Sequence, residues 1–295
     1  MNGRLLKILG DARLDAAELE RLIGVALSED LRFGPDVTSD ATISDDQHST
    51  AAVVARQRGI VCGVPVALAV LEAVQFPESG VTIVRHDGEV VGVNDVILHL
   101  SGPLRPLLLA ERTLLNFMSH LSGIATATNA WVRALEGTDC KVRDTRKTTP
   151  GLRQLEKYAV RSGGGANHRM GLGDAALIKD NHIAAAGGIT RAIAAIRAAN
   201  PDIDLEVECD TLAQVSEAVE AGCSLILLDN MDLEEIKAAV ETIRRVPGVR
   251  SEASGGMTLD NAGVIAHTGV DYIAVGSLTH SVIALDLGLD IVATD

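Results

Sequence analysis

Six short apolar runs in the second half of this 295-residue sequence alternate with helix-like segments, and each ends in polar or small residues. The runs are 141–147, 175–179, 205–209, 225–229, 249–254 and 272–276. Their polar ends are 21 to 32 residues apart, which is typical of successive βα units. The pattern predicts an α/β fold with an incomplete (β/α) barrel, and an open, doubly wound parallel sheet is the structural alternative.

The residues that end these runs are candidates for a functional site. They are Arg146, Lys147, Lys179, Glu208, Asp229, Ser254, Gly255 and Gly276. In a barrel of parallel strands the loops that follow the strands open on one face, so these groups are expected to converge there. Cations, carboxylates and glycine loops at one mouth suit a substrate with several negative charges and a divalent metal.

The first part of the chain has a different pattern. A helical rhythm at 14–30 is followed by β-like runs, and an apolar helical segment covers 107–135. The β-like runs are 51–56, 81–85 and 96–100. We therefore predict a sheet-containing N-terminal domain, which the helical segment would bridge to the barrel.

Charge is unevenly distributed along the chain. Asp and Glu outnumber Lys and Arg by 40 to 26, for a formal net charge of −14, which disfavours broad binding to nucleic acid or to an acidic membrane. Residues 141–182, the cationic segment, nevertheless hold nine Lys and Arg residues against four Asp and Glu residues. Any anionic substrate is therefore expected at this segment.

The expected compartment is the cytoplasm. The N-terminus has no signal-like apolar stretch, and no apolar run is long enough to span a bilayer. The four cysteines show no C-x-x-C spacing. They are expected to be reduced, mostly buried thiols without a functional role.

The basic residues of the cationic segment have two explanations. Arg153, Lys157 and Arg161 are spaced three to four residues apart, which suits a solvated helix face. Arg146 and Lys179 stand at strand ends instead, where exposure is toward the barrel mouth. An arginine there offers the fork geometry that binds carboxylates bidentately.

Glu208 and Asp229 each follow apolar residues at the ends of neighbouring strands. Buried carboxylates are rarely left unpaired. They are expected to form ion pairs with Lys147 or Lys179, to hold Mg²⁺ directly or through water, or to hydrogen-bond a sugar diol.

The glycine-rich segment 162–174 is not a dinucleotide fingerprint. A G-x-G-x-x-G motif would need glycine where His168 stands, and no strand directly precedes it. A flexible loop that presents His168 and Arg169 to an anion is favoured, beside a plain glycine-rich turn with a surface histidine. A zinc site that combines His168 and His182 with the strand-end carboxylates is disfavoured, because no H-x-x-x-H-type spacing supports it.

Two small-residue loops follow the last two strands, at 254–258 and 276–280. Small residues let backbone N–H groups approach an anion closely, and the N-terminus of the following helix favours negative charge. The two loops together predict a phosphate site.

Several motifs occur in order along the chain, and together they resemble the quinolinate phosphoribosyltransferase family. They are 110–113 (AERT), 143–151 (RDTRKTTPG), 164–169 (GGANHR), 177–182 (LIKDNH), 206–208 (EVE), 228–230 (LDN), 254–256 (SGG) and 276–281 (GSLTHS). An ordered set over nearly the whole chain is far more specific than any single motif.

The resemblance implies an N-terminal α/β sandwich domain at 1–118 and a barrel domain at 119–280, with the tail 281–295 packed back on the first domain. It also implies the reaction of quinolinate with phosphoribosyl pyrophosphate, with Mg²⁺, to give nicotinate mononucleotide, pyrophosphate and carbon dioxide in de novo NAD biosynthesis. A homodimer is implied as well, in which one subunit helps to complete its neighbour's site.

The resemblance assigns residues to each part of the reaction. The two carboxylates of quinolinate would be held by Arg146, His168, Arg169 and Lys179, with Arg112 of the partner subunit. Lys147 would lie between the ring and the phosphoribosyl donor. Glu208 and Asp229 would serve the ribose hydroxyls and Mg²⁺, and phosphate would be held by Ser254, Gly255, Gly276 and His280. The catalytic candidates are Lys147, Lys179, Glu208 and Asp229.

Three other functions fit parts of the sequence. Nicotinate phosphoribosyltransferase is the nearest, but its substrate has one carboxylate and the number of cations here suits two. A Schiff-base aldolase would use Lys179 at its strand end. A catalytically inactive small-molecule sensor would have lost a catalytic group, yet no member of the motif set is missing.

Overall fold

The computed structural model of the chain describes residues 1–292; residues 293–295, the last three of the predicted tail 281–295, lie outside the described residues. The strands are β1 (His48–Ala55), β2 (Gly59–Ile60), β3 (Val81–Ile83), β4 (Val90–Val91), β5 (Val96–Pro103), β6 (Lys141–Arg143), β7 (Ala176–Ile178), β8 (Leu205–Cys209), β9 (Leu225–Asp229), β10 (Arg250–Ser254), β11 (Tyr272–Ala274) and β12 (Leu287–Val292). The helices are α1 (Gly3–Asp11), α2 (Ala16–Asp30), α3 (Val37–Thr42), α4 (Val64–Ala73), α5 (Leu104–Ala134), α6 (Arg153–Ser162), α7 (Asp180–Ala186), α8 (Ile189–Ala199), α9 (Leu212–Glu220), α10 (Leu233–Arg244), α11 (Leu259–Ala266) and α12 (Ser277–His280), with a 3₁₀ turn at Glu78–Gly80.

The chain forms two compact units. The first comprises residues 1–127 and 149–164 together with the segment from Ser281 onward, and the second comprises Thr128–Thr148 and Gly165–His280. No helix among the described residues is both long enough and apolar enough to cross a bilayer.

The first unit is built on an antiparallel sheet in the order β12-β1-β5-β3. Strand β1 lies in the middle and is buried along most of its length, which is why it is rich in Ala and Val rather than alternating with polar residues. Strand β12 pairs with β1 from Ala55 opposite Leu287 onward. The C-terminal strand is thus part of this sheet, although it is distant in sequence.

Helix α4 is apolar on nearly all sides and is buried over most of its length. It begins after Gly63, whose φ of 106° favours glycine, and a Cβ at this position would lie only 3.2 Å from the Cα of Met118. The carboxylate of Asp87 accepts hydrogen bonds from the N–H groups of Gly63 and Val64 at 2.8 and 3.0 Å and from the hydroxyl of Tyr158 at 2.6 Å. These bonds tie α6 to the start of α4 within the first unit.

The second unit is an incomplete (β/α) barrel, which confirms the predicted fold. Its six parallel strands have the order β6-β11-β10-β9-β8-β7, so the first and last strands in sequence are neighbours and the ring is open between β6 and β7. Beside β6 the backbone N–H of Ala166 donates to Val142 O at 2.9 Å. The segment before β7 therefore covers part of the opening. A doubly wound sheet would not have this order.

Short loops place the strand ends of the barrel close to helix N-termini. The helices α9, α10 and α11 begin with the N-caps Thr211, Asp232 and Thr258, and each cap forms a capping box with the residue three positions later. With these caps, each helix begins three to five residues after the end of the preceding strand. The loops that carry the predicted site are consequently short and well defined.

Two of the predicted strand ends need correction. Strand β6 ends at Arg143 rather than at residue 147, because the Thr145 hydroxyl accepts a hydrogen bond from the N–H of Lys147 at 3.0 Å and turns the chain out of the ladder. Strand β11 likewise ends at Ala274. Lys147 and Gly276 therefore lie in the loops after these strands.

The solvated-face explanation for part of the cationic segment is wrong for Lys157. Its side chain is fully buried, as is that of Glu156 beside it. Helix α6 packs on two sides, so the three-to-four-residue spacing of its basic residues does not mark a solvent face. All four cysteines are free and buried, as predicted, and burial raises the pKa of Cys140 and Cys209 to about 12.

Candidate active site

Most site residues of the second unit lie at the C-terminal ends of its strands, whereas His168 and Arg169 line a cavity that also reaches Asp204 and Ser224, directly before β8 and β9. Strands β8 and β9 carry Glu208 and Asp229 at this end, and Ser254 at the end of β10 is in register with Asp229. Successive side chains of a strand point to opposite faces. Glu208 therefore shares the inner face of β8 with Glu206, two residues earlier.

Two guanidinium groups with buried, unpartnered N–H groups form the cationic part of the site. The Nε atoms of Arg146 and Arg169 are both buried without a hydrogen-bond partner among the described residues. Burial lowers the pKa of the Arg169 guanidinium, and the nearby charge of Arg146 lowers it further. A buried donor without a partner is costly, and two adjacent cations repel each other. An anion between them would relieve both effects.

His168 is buried, so a plain turn with a surface histidine is ruled out. Its backbone N–H donates to Asp144 Oδ1 at 2.8 Å, and Asn167 Nδ2 donates to Asp144 Oδ2 at 2.5 Å. The loop before Arg169 is thus clamped to the end of β6 rather than flexible.

Both ring nitrogens of His168 are engaged by the protein. Nδ1 accepts from the backbone N–H of Arg169 at 2.8 Å, and Nε2 lies 2.7 Å from Glu206 Oε2. Because Nδ1 accepts a hydrogen bond, the ring proton belongs on Nε2, which donates to Glu206. That His168 binds a substrate carboxylate stays a prediction.

A charged cluster inside the barrel supports His168, and sequence reasoning did not assign it. Glu252 on β10 lies 3.7 Å from His168 Nε2 and accepts from Arg143 Nη1 at 2.5 Å. Glu206 and Glu252 are both buried, and each keeps one oxygen without a hydrogen-bond partner among the described residues. Burial and the neighbouring Glu206 raise the pKa of Glu252 to about 7, although Arg143 and His168 oppose the shift.

The spacing of His168, Glu206 and Glu252 resembles that of metal ligands, but the hydrogen bonds do not fit a metal. With a proton on Nε2 the imidazole has no lone pair to offer at that atom, and Arg143 already neutralises Glu252. The cluster is better explained as an ionic support. The sequence does contain a signal for this cluster: Glu206 and Glu252 stand two residues before Glu208 and Ser254, so each faces the same side of its strand as a predicted site residue.

Lys179 forms an ion pair with Glu208 at the ends of β7 and β8. The Lys179 side chain is 45% exposed, whereas that of Glu208 is 15% exposed, so the ammonium group lies on the solvent side of the pair. The backbone N–H of Lys179 donates to Nδ1 of His182 at 3.0 Å, which makes His182 part of the cap of α7. The pairing of Glu208 with a lysine was one of the predicted alternatives.

Asp229 and the loop after Ser254 are joined by Asn230. Its Nδ2 donates to Asp229 Oδ2 at 2.7 Å, and its backbone N–H donates to Ser254 O at 3.0 Å. Gly255, with φ of 84°, lies against the Asn230 side chain. The metal candidate of β9 and the phosphate candidates of β10 are therefore linked through Asn230.

Lys147, Gly276 and His280 lie together after β6 and β11. A Cβ added to Gly276 would lie 3.0 Å from Lys147 Cδ and 3.3 Å from His280 Nε2. The Thr279 hydroxyl donates to Lys147 O at 2.8 Å and fixes the two loops to each other. Glycine at position 276 thus leaves room for both side chains.

Arg112 belongs to the first unit, on an exposed side of α5. Within residues 1–292 it forms no hydrogen bond or ion pair. Its placement in a substrate site stays a prediction.

The carboxylates at the ends of β8 and β9 fit the donor set of Mg²⁺. The ion is commonly held by one or two carboxylates together with substrate phosphates. Asp229 Oδ1 accepts no hydrogen bond from the described residues, since its hydrogen bond uses Oδ2. An oxygen at the mouth thus stays available for a cation.

Family models match both parts of the chain. Residues 36–122 match the quinolinate phosphoribosyl transferase N-terminal domain, and residues 124–290 match its C-terminal domain. The chain is 50% identical over 287 residues to the nicotinate-nucleotide pyrophosphorylase [carboxylating] of Mycobacterium leprae, covering 96% of this chain and all of that one. It is 42% identical to the probable enzyme of the same name from Bacillus subtilis, covering 93% of each chain.

Solved structures share the fold. The nicotinate-nucleotide pyrophosphorylase of Francisella tularensis superposes with a TM-score of 0.87 at 37% identity, covering 95% of this chain and 98% of that one. NadC from Streptococcus pyogenes has a TM-score of 0.88 at 39% identity, covering 95% and 99%. Human nicotinic acid phosphoribosyltransferase, with a TM-score of 0.63 at 15% identity over 87% of this chain and 72% of that one, shares the fold alone.

Proposed function

This chain belongs to the quinolinate phosphoribosyl transferase family, and from that premise we infer how its site carries out the reaction. The enzyme transfers the phosphoribosyl group of phosphoribosyl pyrophosphate to quinolinate, with loss of carbon dioxide and pyrophosphate. The product is nicotinate mononucleotide, which serves NAD biosynthesis. The roles of individual residues, of Mg²⁺ and of a second subunit are proposals.

The observation that carries the substrate assignment is the pair of guanidinium groups at Arg146 and Arg169. Their buried Nε–H groups lack partners among the described residues, and Arg–carboxylate pairs are among the strongest charge-assisted hydrogen bonds. Quinolinate carries two adjacent carboxylates and so matches two adjacent cations. Lys179 adds a third positive charge, and we assign His168 to holding the loop on which Arg169 stands.

Glu208 and Asp229 are proposed to hold the ribose hydroxyls of the donor, and Asp229 also Mg²⁺. When bound, Mg²⁺ supplies positive charge to the pyrophosphate leaving group. The loops after β10 and β11 present Ser254, Gly255 and Gly276 to phosphate, and His280 adds a polar ring nitrogen beside Gly276.

Phosphoribosyl transfer needs alignment and charge stabilisation more than a strong acid or base. The pyridine nitrogen of quinolinate forms a bond to the anomeric carbon, and the bond to pyrophosphate breaks with its electron pair on oxygen. Positive charge grows on the ribose near Glu208 and Asp229. Lys147, between the two substrates, stabilises negative charge on the leaving group.

Decarboxylation follows from the product of the first step. Once the ring nitrogen is quaternary, the neighbouring C–CO₂⁻ bond breaks and its electron pair stays on the ring carbon, where the adjacent positive nitrogen stabilises it. A proton then replaces the carboxylate. The site needs only to hold the ring in place through Arg146 and Arg169 during this step.

We propose that the active form is a homodimer, or a higher homo-oligomer, in the cytoplasm. The support is Arg112, an exposed arginine within the family's AERT motif that makes no polar contact among residues 1–292. Arg112 of the partner subunit would add a further cation for the quinolinate carboxylates. Sedimentation velocity would test the assembly.

A single incubation tests the function. The chain is mixed with quinolinate, phosphoribosyl pyrophosphate and Mg²⁺, beside parallel mixtures with nicotinate with and without ATP, and nicotinate mononucleotide and released carbon dioxide are measured. Product and carbon dioxide from quinolinate alone are expected. Product from nicotinate would favour the related transferase, and no product would contradict both.

Two observations weigh against a Schiff-base aldolase. The Nζ of Lys179 donates to Glu208, whereas a Schiff base needs an amine with a free electron pair to attack a carbonyl. The chain also matches the transferase family over both domains. Borohydride trapping of a carbonyl compound on Lys179 should therefore fail.

A further inference from the structure

Asn230, directly after Asp229, has an unusual backbone conformation. Its φ is 54°, in the left-handed region that residues other than glycine seldom adopt. Strained backbone at a strand end often marks a functional position, because the surrounding contacts must hold it there. The hydrogen bonds of Asn230 show which groups this conformation holds in place.

The side chain and backbone of Asn230 bind two different strands. Nδ2 donates to Asp229 Oδ2 at 2.7 Å on β9, and the backbone N–H donates to Ser254 O at 3.0 Å on β10. The first bond fixes one oxygen of the Asp229 carboxylate. The second fixes the start of the glycine loop.

The absence of a side chain at Gly255 is needed to make room for Asn230. A Cβ at Gly255 would clash with Asn230 Oδ1 and would lie 2.7 Å from its Cγ and 2.9 Å from its backbone nitrogen. Gly255 also has φ of 84°. The glycine is therefore required by Asn230 as well as by any phosphate that the loop binds.

We propose that Asn230 is a positioning residue that aims the free oxygen of Asp229 at the phosphoribosyl donor and locks the metal-binding and phosphate-binding loops into one unit. The inference rests on the proposed role of Asp229. It adds a residue that touches neither substrate and acts through Asp229 and Gly255.

The physical basis is the loss of rotational freedom at Asp229. With Oδ2 held by an amide N–H, the carboxylate presents Oδ1 in a fixed direction. Binding of the donor then does not have to pay the entropic cost of ordering this side chain. A displacement of a ligand atom by about 1 Å can cost 10²-fold in rate. Removal of the amide should thus weaken donor use and leave quinolinate binding nearly unchanged.

Asn230→Gly is the direct test, because glycine adopts φ of 54° without strain and removes only the side chain. Asn94 supplies a matched control: it also has positive φ, 69°, and it lies exposed in the first unit. Michaelis constants for both substrates, the melting temperature and the Kd of the donor with Mg²⁺ by calorimetry are measured for both variants.

For Asn230→Gly we expect the donor KM and Kd to rise about 10-fold or more, with the quinolinate KM within about threefold and an unchanged or higher melting temperature. Asn94→Gly should match the wild type. Gly255→Ala, which displaces the same amide, should reproduce the donor defect.

Donor values within threefold of wild type in folded Asn230→Gly would overturn the proposal, as would an equal rise in both Michaelis constants. Wild-type chain that turns over neither substrate would refute the proposed function instead, so the two failures are distinguishable. If Asn230→Gly does not fold, the same measurements on Asn230→Asp decide, because Asp tolerates the left-handed backbone but has no N–H to donate to Asp229.

Discussion

The imidazole of His168 donates from Nε2 to Glu206 and accepts at Nδ1 from the backbone N–H of Arg169, at 2.7 and 2.8 Å. A residue inside the barrel thereby controls the orientation of the loop that carries Arg169. Because Arg169 follows His168 directly, the position of its guanidinium depends on a carboxylate 37 residues later in the sequence. In the proposed function, the binding of a substrate carboxylate by Arg169 would therefore depend on Glu206, although Glu206 does not touch the substrate.

Two replacements of Glu206 should show whether its hydrogen bond or its negative charge supports quinolinate binding. Glu206→Leu removes the acceptor, and we expect the quinolinate KM to rise about 10-fold, since a hydrogen bond to a charged group contributes ~1.5–3 kcal/mol. Glu206→Gln keeps an oxygen acceptor and removes repulsion with Glu252, so its KM should stay within about threefold. Steady-state kinetics with both substrates check this, and equal effects of Leu and Gln would contradict it.

Glu252 should make stability depend on pH. Its pKa in the folded chain, about 7, lies above its ordinary value of 4.5, so the folded state binds this proton more tightly than the unfolded state. Its contribution to stability is therefore complete below pH 4.5 and is lost as the pH rises through about 7. Between pH 5 and 8 the melting temperature of Glu252→Gln should decline less than that of the wild type.

The control for the Glu252 prediction is the same Glu→Gln change at an exposed glutamate. Glu234→Gln changes an exposed carboxylate on α10 and should give a curve parallel to that of the wild type. Parallel curves for Glu252→Gln would show that Glu252 is ionised throughout this range.

Gly276→Ala should reduce activity more than stability. The added methyl group meets Lys147 Cδ at 3.0 Å and His280 Nε2 at 3.3 Å, and both side chains are able to move aside. Displacement of these groups should lower kcat/KM about 10-fold or more, while the melting temperature changes by only a few degrees. Activity equal to wild type would remove this loop from the site.

Arg112→Ala should raise the quinolinate KM without changing the fold. Arg112 is exposed and makes no polar contact among residues 1–292, so its loss should leave the melting temperature unchanged. Arg133→Ala, an exposed arginine on the same helix, is the matched control and should leave both Michaelis constants unchanged. Normal quinolinate kinetics for Arg112→Ala would exclude it from the site.

The pairing of Glu208 with Lys179 was among the alternatives that the sequence alone offered. Both residues follow apolar strand runs, and parallel strands bring their C-terminal ends to one edge whatever the details of packing. The incomplete barrel was predictable for the same reason, since strand and helix periodicity repeats through the second half of the chain. The ordered motifs narrowed the chemistry to phosphoribosyl transfer.

Burial of Lys157 and the support of His168 by Glu206 and Glu252 were decided only by the tertiary structure. Local periodicity reports which face of an element is apolar, but it does not report what another element places against a polar residue. His168 meets carboxylates 38 and 84 residues later in the sequence, because the ring of strands closes around it. The sequence by itself therefore determined which groups reach the mouth of the barrel, and the folded packing determined their orientation and charge, since both depend on long-range contacts.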